Sequence, residues 1–212
     1  MSCEEEEEND DGIKVILIGE MGTGKTSLIN TSIGLQFQEK MKSTTTNTIS
    51  DKKIEIDGKT YSISLWDTIG QEKFRSLTKI FMKEAKVVIF VYDITKKTTF
   101  DQLNYWFEST KDVITSDAVM GVAGNKSDLY LKEQIKEEDG QKLADEHGYE
   151  FSLTSAKIPK MFDDFLEKLV KLYLTKNNII GNDNGNNNND KNNRKKKLKK
   201  KDKDNKDKKK CC

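Results

Sequence analysis

Long apolar runs are missing from this chain. The longest, such as Val87–Tyr92 (VVIFVY), fall far short of the ~20 residues a membrane-spanning helix needs, so no segment is expected to cross a bilayer. No basic stretch followed by an apolar one opens the sequence, and no secretory signal is expected. Cysteine is scarce: three in 212 residues, one at position 3 and two as the final pair. Three thiols so placed cannot staple a fold, which points to the reducing cytosol. There is one proline and one histidine. Pro159 sits where a final helix can begin, since a first-turn proline loses no helical hydrogen bond. His147 precedes Gly148 at an expected helix end, where a polar or cationic residue is ordinary, and no catalytic role falls to it.

An excess of either charge is also missing, with 37 Lys+Arg against 36 Asp+Glu. That balance conceals an uneven layout. Residues 4–11 (EEEEENDD) hold seven acids and no base, whereas residues 181–212 hold thirteen Lys/Arg against five Asp/Glu. The middle is neutral and the ends are not, as expected of a globular domain with solvated tails. A length of 212 residues fits about one domain. From Gly181 the composition turns to Asn, Asp, Gly and then Lys, with Leu198 as its one large apolar residue, and no packed core can be built from that. The expected organisation is a disordered acidic tail over 1–11, one domain over 12–176 and a disordered Asn/Lys-rich tail over 177–212.

Within the domain, apolar segments alternate with amphipathic ones. Ile13–Ile18 (IKVILI) runs into a Gly-rich turn, and the stretch from Lys25 to about Ile33 reads as a helix. Ile54/Ile56 and Tyr61/Ile63/Leu65 alternate with polar residues on either side of Asp57-Gly58, which predicts an antiparallel hairpin. Val87–Tyr92, Val119–Ala123 and Tyr149–Leu153 read as buried parallel strands. Phe100, Leu103, Phe107 and Ile114 share one helical face, and Phe162, Phe165, Leu166, Leu169 and Tyr173 another. Strands alternating with helices imply an α/β domain, a mostly parallel sheet with helices on both faces and ligands at the carboxyl ends of the strands.

The chemistry lies at those strand ends. Gly19-Glu20-Met21-Gly22-Thr23-Gly24-Lys25-Thr26 matches G-x-x-x-x-G-K-[ST] between a strand and a helix. Backbone N–H groups there wrap a polyphosphate, aided by the helix N-terminus on which Ser27 also lies. In this motif Lys25 reaches the β and γ phosphates, and the Thr26 hydroxyl binds Mg²⁺. ATPases, kinases and GTPases share such a loop, so the base must be identified elsewhere. Asn125-Lys126-Ser127-Asp128 follows a strand. A carboxylate at Asp128 accepts two hydrogen bonds from the N1–H and exocyclic amine of guanine, a pair that adenine does not offer. Leaving such a buried acceptor unpaired rejects the wrong ligand by about 10⁴-fold. Thr154-Ser155-Ala156-Lys157 follows the next strand and can offer backbone N–H groups to the guanine carbonyl. Trp66-Asp67-Thr68-Ile69-Gly70-Gln71 ends another strand, placing Asp67 to hold the metal through water, Gly70 near the γ-phosphate and Gln71 toward an attacking water.

This set, with WDTIGQEKFRSLT (66–78), VYDIT (91–95), GNKSD (124–128), TSAK (154–157) and the final Cys211-Cys212, resembles the Ras superfamily of small GTPases, and within it the Rab branch. The resemblance covers residues 12–175. It implies a P-loop NTPase fold with a six-stranded, mostly parallel sheet and one antiparallel edge strand. It also implies a switch in which GTP and Mg²⁺ order two loops, effectors bind that state, and hydrolysis to GDP and phosphate releases the loops. By position in the family pattern, Thr44 binds Mg²⁺ and the γ-phosphate, and Phe37 packs on guanine. No catalytic arginine is evident in the switches, so unassisted turnover is expected to be on the order of 10⁻⁴ s⁻¹ or below. Three features depart from the pattern. Met21 stands where Ras-like members have glycine and Rabs often serine, Ile69 replaces an alanine, and residues 45–49 (TTNTI) differ from the usual effector stretch. A GTP-binding membrane scaffold with little hydrolysis, blocked by Met21, is therefore the alternative reading.

A lysine-rich tail can bind nucleic acid, serve nuclear import or sit on anionic lipid. The resemblance favours lipid, since Rab-like chains ending in Cys-Cys are generally geranylgeranylated on both cysteines. Two chains, or one chain with basic residues nearby, give stable attachment. The expected partners are an exchange factor, a GTPase-activating protein, a GDP-dissociation inhibitor and effectors, with no nucleic acid. The expected location is the cytosolic face of intracellular membranes, cycling with the cytosol, in vesicle traffic.

Overall fold

The computed structural model describes residues 12–39, 44, 48–68 and 80–180. The expected disorder of residues 1–11 and 181–212, and the positions Ile69, Gly70, Gln71, Cys211 and Cys212, lie outside the described residues.

Six strands form one sheet in the order β2-β3-β1-β4-β5-β6. They are β1 (Ile13–Ile18), β2 (Thr48–Ile56), β3 (Lys59–Asp67), β4 (Val87–Asp93), β5 (Val119–Asn125) and β6 (Glu150–Leu153). All neighbouring pairs are parallel except β2 with β3, so the antiparallel strand lies at an edge. The hairpin turns at Asp57-Gly58, where φ is +52° and +77°, and its strands run to nine residues each. In β2, the edge strand, only Ile56 is buried, so its length follows from its pairing with β3 along all nine residues and not from apolar burial. The helices are α1 (Lys25–Ser32), α2 (Lys97–Asp101), α3 (Leu103–Thr110), α4 (Glu137–His147) and α5 (Pro159–Lys176).

Alternation along the central strands sends side chains to two separate cores. Val15 and Leu17 of β1 with Val87, Ile89 and Val91 of β4 pack against Leu28 and Ile29 of α1 and Phe162, Phe165, Leu166 and Leu169 of α5. Ile16, Ile18, Val88, Phe90 and Tyr92 face the other way, onto Leu103, Trp106 and Phe107 of α3 and Ala144 of α4. Helices thus cover both faces, as a sheet buried on both sides requires.

The stripe from Phe100 to Ile114 is real but interrupted. The chain makes a turn at Gln102 between α2 and α3, and Ile114 lies beyond α3, its N–H donating to the Thr110 carbonyl. Phe100 and Ile114 still pack on the second core, so the face holds although the helix is not continuous. Residues 177–180, counted with the tail from sequence, close α5. The Asn177 side chain donates to the carbonyls of Asp117 and Tyr173, and Ile180 packs on the first core. His147 ends α4 ahead of Gly148, whose φ of +67° turns the chain, and its ring packs on Phe107 and Tyr149.

Candidate nucleotide site

The loop from Gly19 to Gly24 joins β1 to α1 and crosses the carboxyl end of the sheet. Gly19 has φ +153°, and a Cβ there would run into the Val91 carbonyl of β4. Gly24 caps α1 at φ +96°, where a Cβ would strike the Asn125 carboxamide. Both positions require glycine because the loop is pressed against the neighbouring strand and the loop that follows the next. The N-terminus of α1 has no side-chain cap and no acid in its first turn, which leaves its first N–H groups available to an anion.

Lys25 is buried, and its Nζ donates to the carbonyls of Gly19 at 2.8 Å and Glu20 at 3.0 Å. Burial pushes the ammonium down to about 8, opposed by the carboxylates of Asp67 and Glu20. An anionic ligand placed beside this cation favours its charged form.

Beside it, the Thr26 hydroxyl donates to Asp67 Oδ2 at 2.6 Å and lies 2.7 Å from the Thr44 hydroxyl. The other oxygen of Asp67, Oδ1, is buried and has no hydrogen-bond partner among the described residues. Burial raises this carboxyl, against the Thr26 hydrogen bond and the Lys25 charge. Two hydroxyls and an orphaned carboxylate oxygen are hard ligands of the kind Mg²⁺ takes, so these residues fit that ion.

At the far end, Asp128 accepts from the Ser155 hydroxyl at 2.6 Å and pairs with Lys157 at 3.1 Å. Burial would raise its carboxyl, but the hydrogen bonds from Ser155 and Lys157 outweigh it and hold the group below the usual carboxylate range. The anion needed to accept two donors from a base is therefore the stable form. Asn125 Nδ2 donates to the Thr23 carbonyl at 2.8 Å, and Lys126 Nζ to the Gly22 carbonyl at 2.7 Å. The Lys157 ammonium lies 5.5 Å from the centroid of the Phe37 ring, which is partly exposed.

One cavity of about 490 Å³ runs between these ends. It is lined by Met21, Gly22, Gly24, Lys25, Thr26, Ser27, Phe37, Thr44, Asn125, Lys126, Asp128, Ala156 and Lys157. Gly19, Glu20, Thr23, Asp67 and Ser155 stand behind this lining and hold it in place through the bonds given above. Thr68, Lys96 and Leu129 also line the cavity and were not singled out from sequence. Two supporting contacts were missed as well. Trp106 Nε1 donates to Glu20 Oε1 at 3.2 Å, and Lys126 pairs with buried Asp93 at 2.6 Å. Asp93 lies within VYDIT, so its motif was visible although its partner, 33 residues away, was not.

Comparison with known proteins identifies the family. The model of the Ras family matches residues 14–175. The chain is 36% identical over 167 residues to the Ras-related protein Rab2BV of Beta vulgaris, covering 77% of this chain and 78% of that one. It is 35% identical over 175 residues to the Ras-related protein RABA2d of Arabidopsis thaliana, covering 81% of each. A glycine-shaped loop, a buried lysine and a carboxylate held by Ser155 and Lys157 thus meet along one cavity in a chain that belongs to the Ras family, as a Rab-like small GTPase.

Proposed function

We propose that this protein is a membrane-recruited switch in vesicle traffic that binds GTP, engages effectors, and hydrolyses GTP to GDP and phosphate. The observation that carries the reading is the continuous cavity with Lys25 and Thr26 at one end and Asp128 at the other, a span suited to a guanosine polyphosphate. Asp128, held ionised by Ser155 and Lys157, accepts the two donors of guanine. Phe37 covers the base, and the N–H groups of Ser155, Ala156 and Lys157 face its carbonyl. Lys25 exchanges its bonds to the Gly19 and Glu20 carbonyls for phosphate oxygens.

Thr26, Thr44 and Asp67 would hold Mg²⁺, which would supply positive charge to the phosphates. Gln71 orients the attacking water and Gly70 approaches the γ-phosphate, roles that rest on the family pattern. Turnover without a partner is slow, on the order of 10⁻⁴ s⁻¹ or below. An exchange factor, a GTPase-activating protein and a GDP-dissociation inhibitor complete the cycle. Geranylgeranyl groups on Cys211 and Cys212, with the basic tail, hold the protein on the cytosolic face of intracellular membranes.

A second reading is favoured by Met21, whose side chain is half exposed and lines the same cavity. There it crowds the γ-phosphate and leaves a GTP-bound scaffold that hardly turns over. Single-turnover hydrolysis of GTP by wild type and Met21→Ser, with and without a GTPase-activating protein, separates the two. The switch predicts cleavage that the activating protein accelerates in both forms. GTP left intact by wild type but cleaved by Met21→Ser would favour the scaffold. For the anchor, Cys211→Ser with Cys212→Ser is expected to move the protein from the membrane fraction to the soluble one, and an unchanged distribution contradicts it.

A further inference from the structure

Asp93, the last residue of β4, is fully buried, and every oxygen of its carboxylate is used. Oδ1 accepts from the Thr95 N–H at 2.9 Å and the Thr95 hydroxyl at 2.7 Å, and Oδ2 accepts from Lys126 Nζ at 2.6 Å. The sheet sets this meeting. Asp93 stands opposite Asn125 in the β4–β5 register, and Lys126 is the next residue. Lys126 itself has φ +68°, a left-handed conformation that a non-glycine residue holds only when its surroundings fix it. Its ammonium reaches on to the Gly22 carbonyl in the phosphate loop. A charge buried this completely costs more than a well-packed apolar side chain would, so packing alone does not account for it.

We propose that Asp93 is a positioning residue for the bound guanine nucleotide. Its carboxylate fixes the Lys126 ammonium against Gly22 and so ties the guanine-binding loop to the phosphate loop. The two ends of the ligand are then gripped by one frame, and loss of the tie speeds release of nucleotide without changing which base is chosen, a choice made by Asp128. The inference rests on the guanine-nucleotide reading of the same cavity.

The test is the dissociation rate of a fluorescent GDP analogue from the full chain with Mg²⁺, in wild type, Asp93→Asn, Lys126→Met and the double variant. Thermal unfolding and the GTP-over-ATP preference are read on the same samples. Asp93→Asn is expected to release nucleotide roughly tenfold faster or more, as for loss of a hydrogen bond to a charged group. Its base preference should equal that of wild type, and in the Lys126→Met background it should add nothing further. Lys97→Ala, which removes an exposed ammonium paired with Asp101 at 2.8 Å, should release nucleotide at the wild-type rate. Should Asp93→Asn not fold, Asp93→Ala, which leaves no carboxamide in the pocket, is read through the same cycle. An unchanged release rate, or effects that simply multiply in the double variant, overturns the positioning role while leaving nucleotide binding intact. A wild type that retains no guanine nucleotide overturns both.

Discussion

Lys25 concentrates the electrostatics of the site in one ammonium. Its folded value of about 8 lies below the ordinary 10.5, chiefly through burial. Between those two values the unfolded chain binds the proton more readily than the folded one. Lys25 therefore lowers stability while charged and buried, and that penalty fades as pH rises through this window. A phosphate placed beside it favours the ammonium and reverses the effect. Nucleotide binding to stripped protein at pH 9 is accordingly expected to take up protons, with affinity declining as pH rises above about 8. Titration calorimetry in buffers of different ionisation enthalpy reads the proton count directly, and a count of zero at pH 9 contradicts the assignment of Lys25 to the phosphates.

At the scale of elements, the sheet is held from one side by α5. Leu169 is fully buried there and lies under Gly121, where a Cβ would press on both of its methyl groups. Leu169→Ala opens a cavity in this core and is expected to cost about 2–5 kcal/mol. Denaturant unfolding at one fixed nucleotide concentration measures it, since bound ligand shifts apparent stability. Nucleotide affinity should stay near wild type, because α5 supplies no residue to the cavity lining.

Local signals of this kind made most elements legible. The alternation around Asp57-Gly58 marked the hairpin, and the apolar run Val87–Tyr92 marked the central strand to within one residue. The glycine and lysine spacing of 19–26 marked the phosphate loop. What stayed hidden was long-range. Nothing local in Gln102 announces a turn between α2 and α3, whose backbones are otherwise helical. The Glu20–Trp106 contact joins residues 86 apart, and the Asp93–Lys126 pair joins residues 33 apart. Both depend on which strands become neighbours, and a motif does not encode its distant partner.

Across the whole molecule a neutral domain stands between charged ends. In the domain, five strand ends converge at the carboxyl end of the sheet, and the residues they carry line or support one cavity. The ends supply a different kind of chemistry, an acidic segment at 4–8 and a lysine-rich one before Cys211-Cys212. Guanine recognition by Asp128 is the claim on which switch, effector and membrane roles all depend. The most direct test measures the affinities of purified wild type and Asp128→Asn for GTP, ATP and xanthosine triphosphate in the presence of Mg²⁺. Xanthine carries a carbonyl where guanine has its amine, so a carboxamide at position 128 matches it and a carboxylate does not. Wild type is predicted to prefer GTP over ATP by about 10⁴-fold, and Asp128→Asn to lose GTP and gain xanthosine triphosphate. Equal binding of GTP and ATP by wild type would contradict the account at its centre.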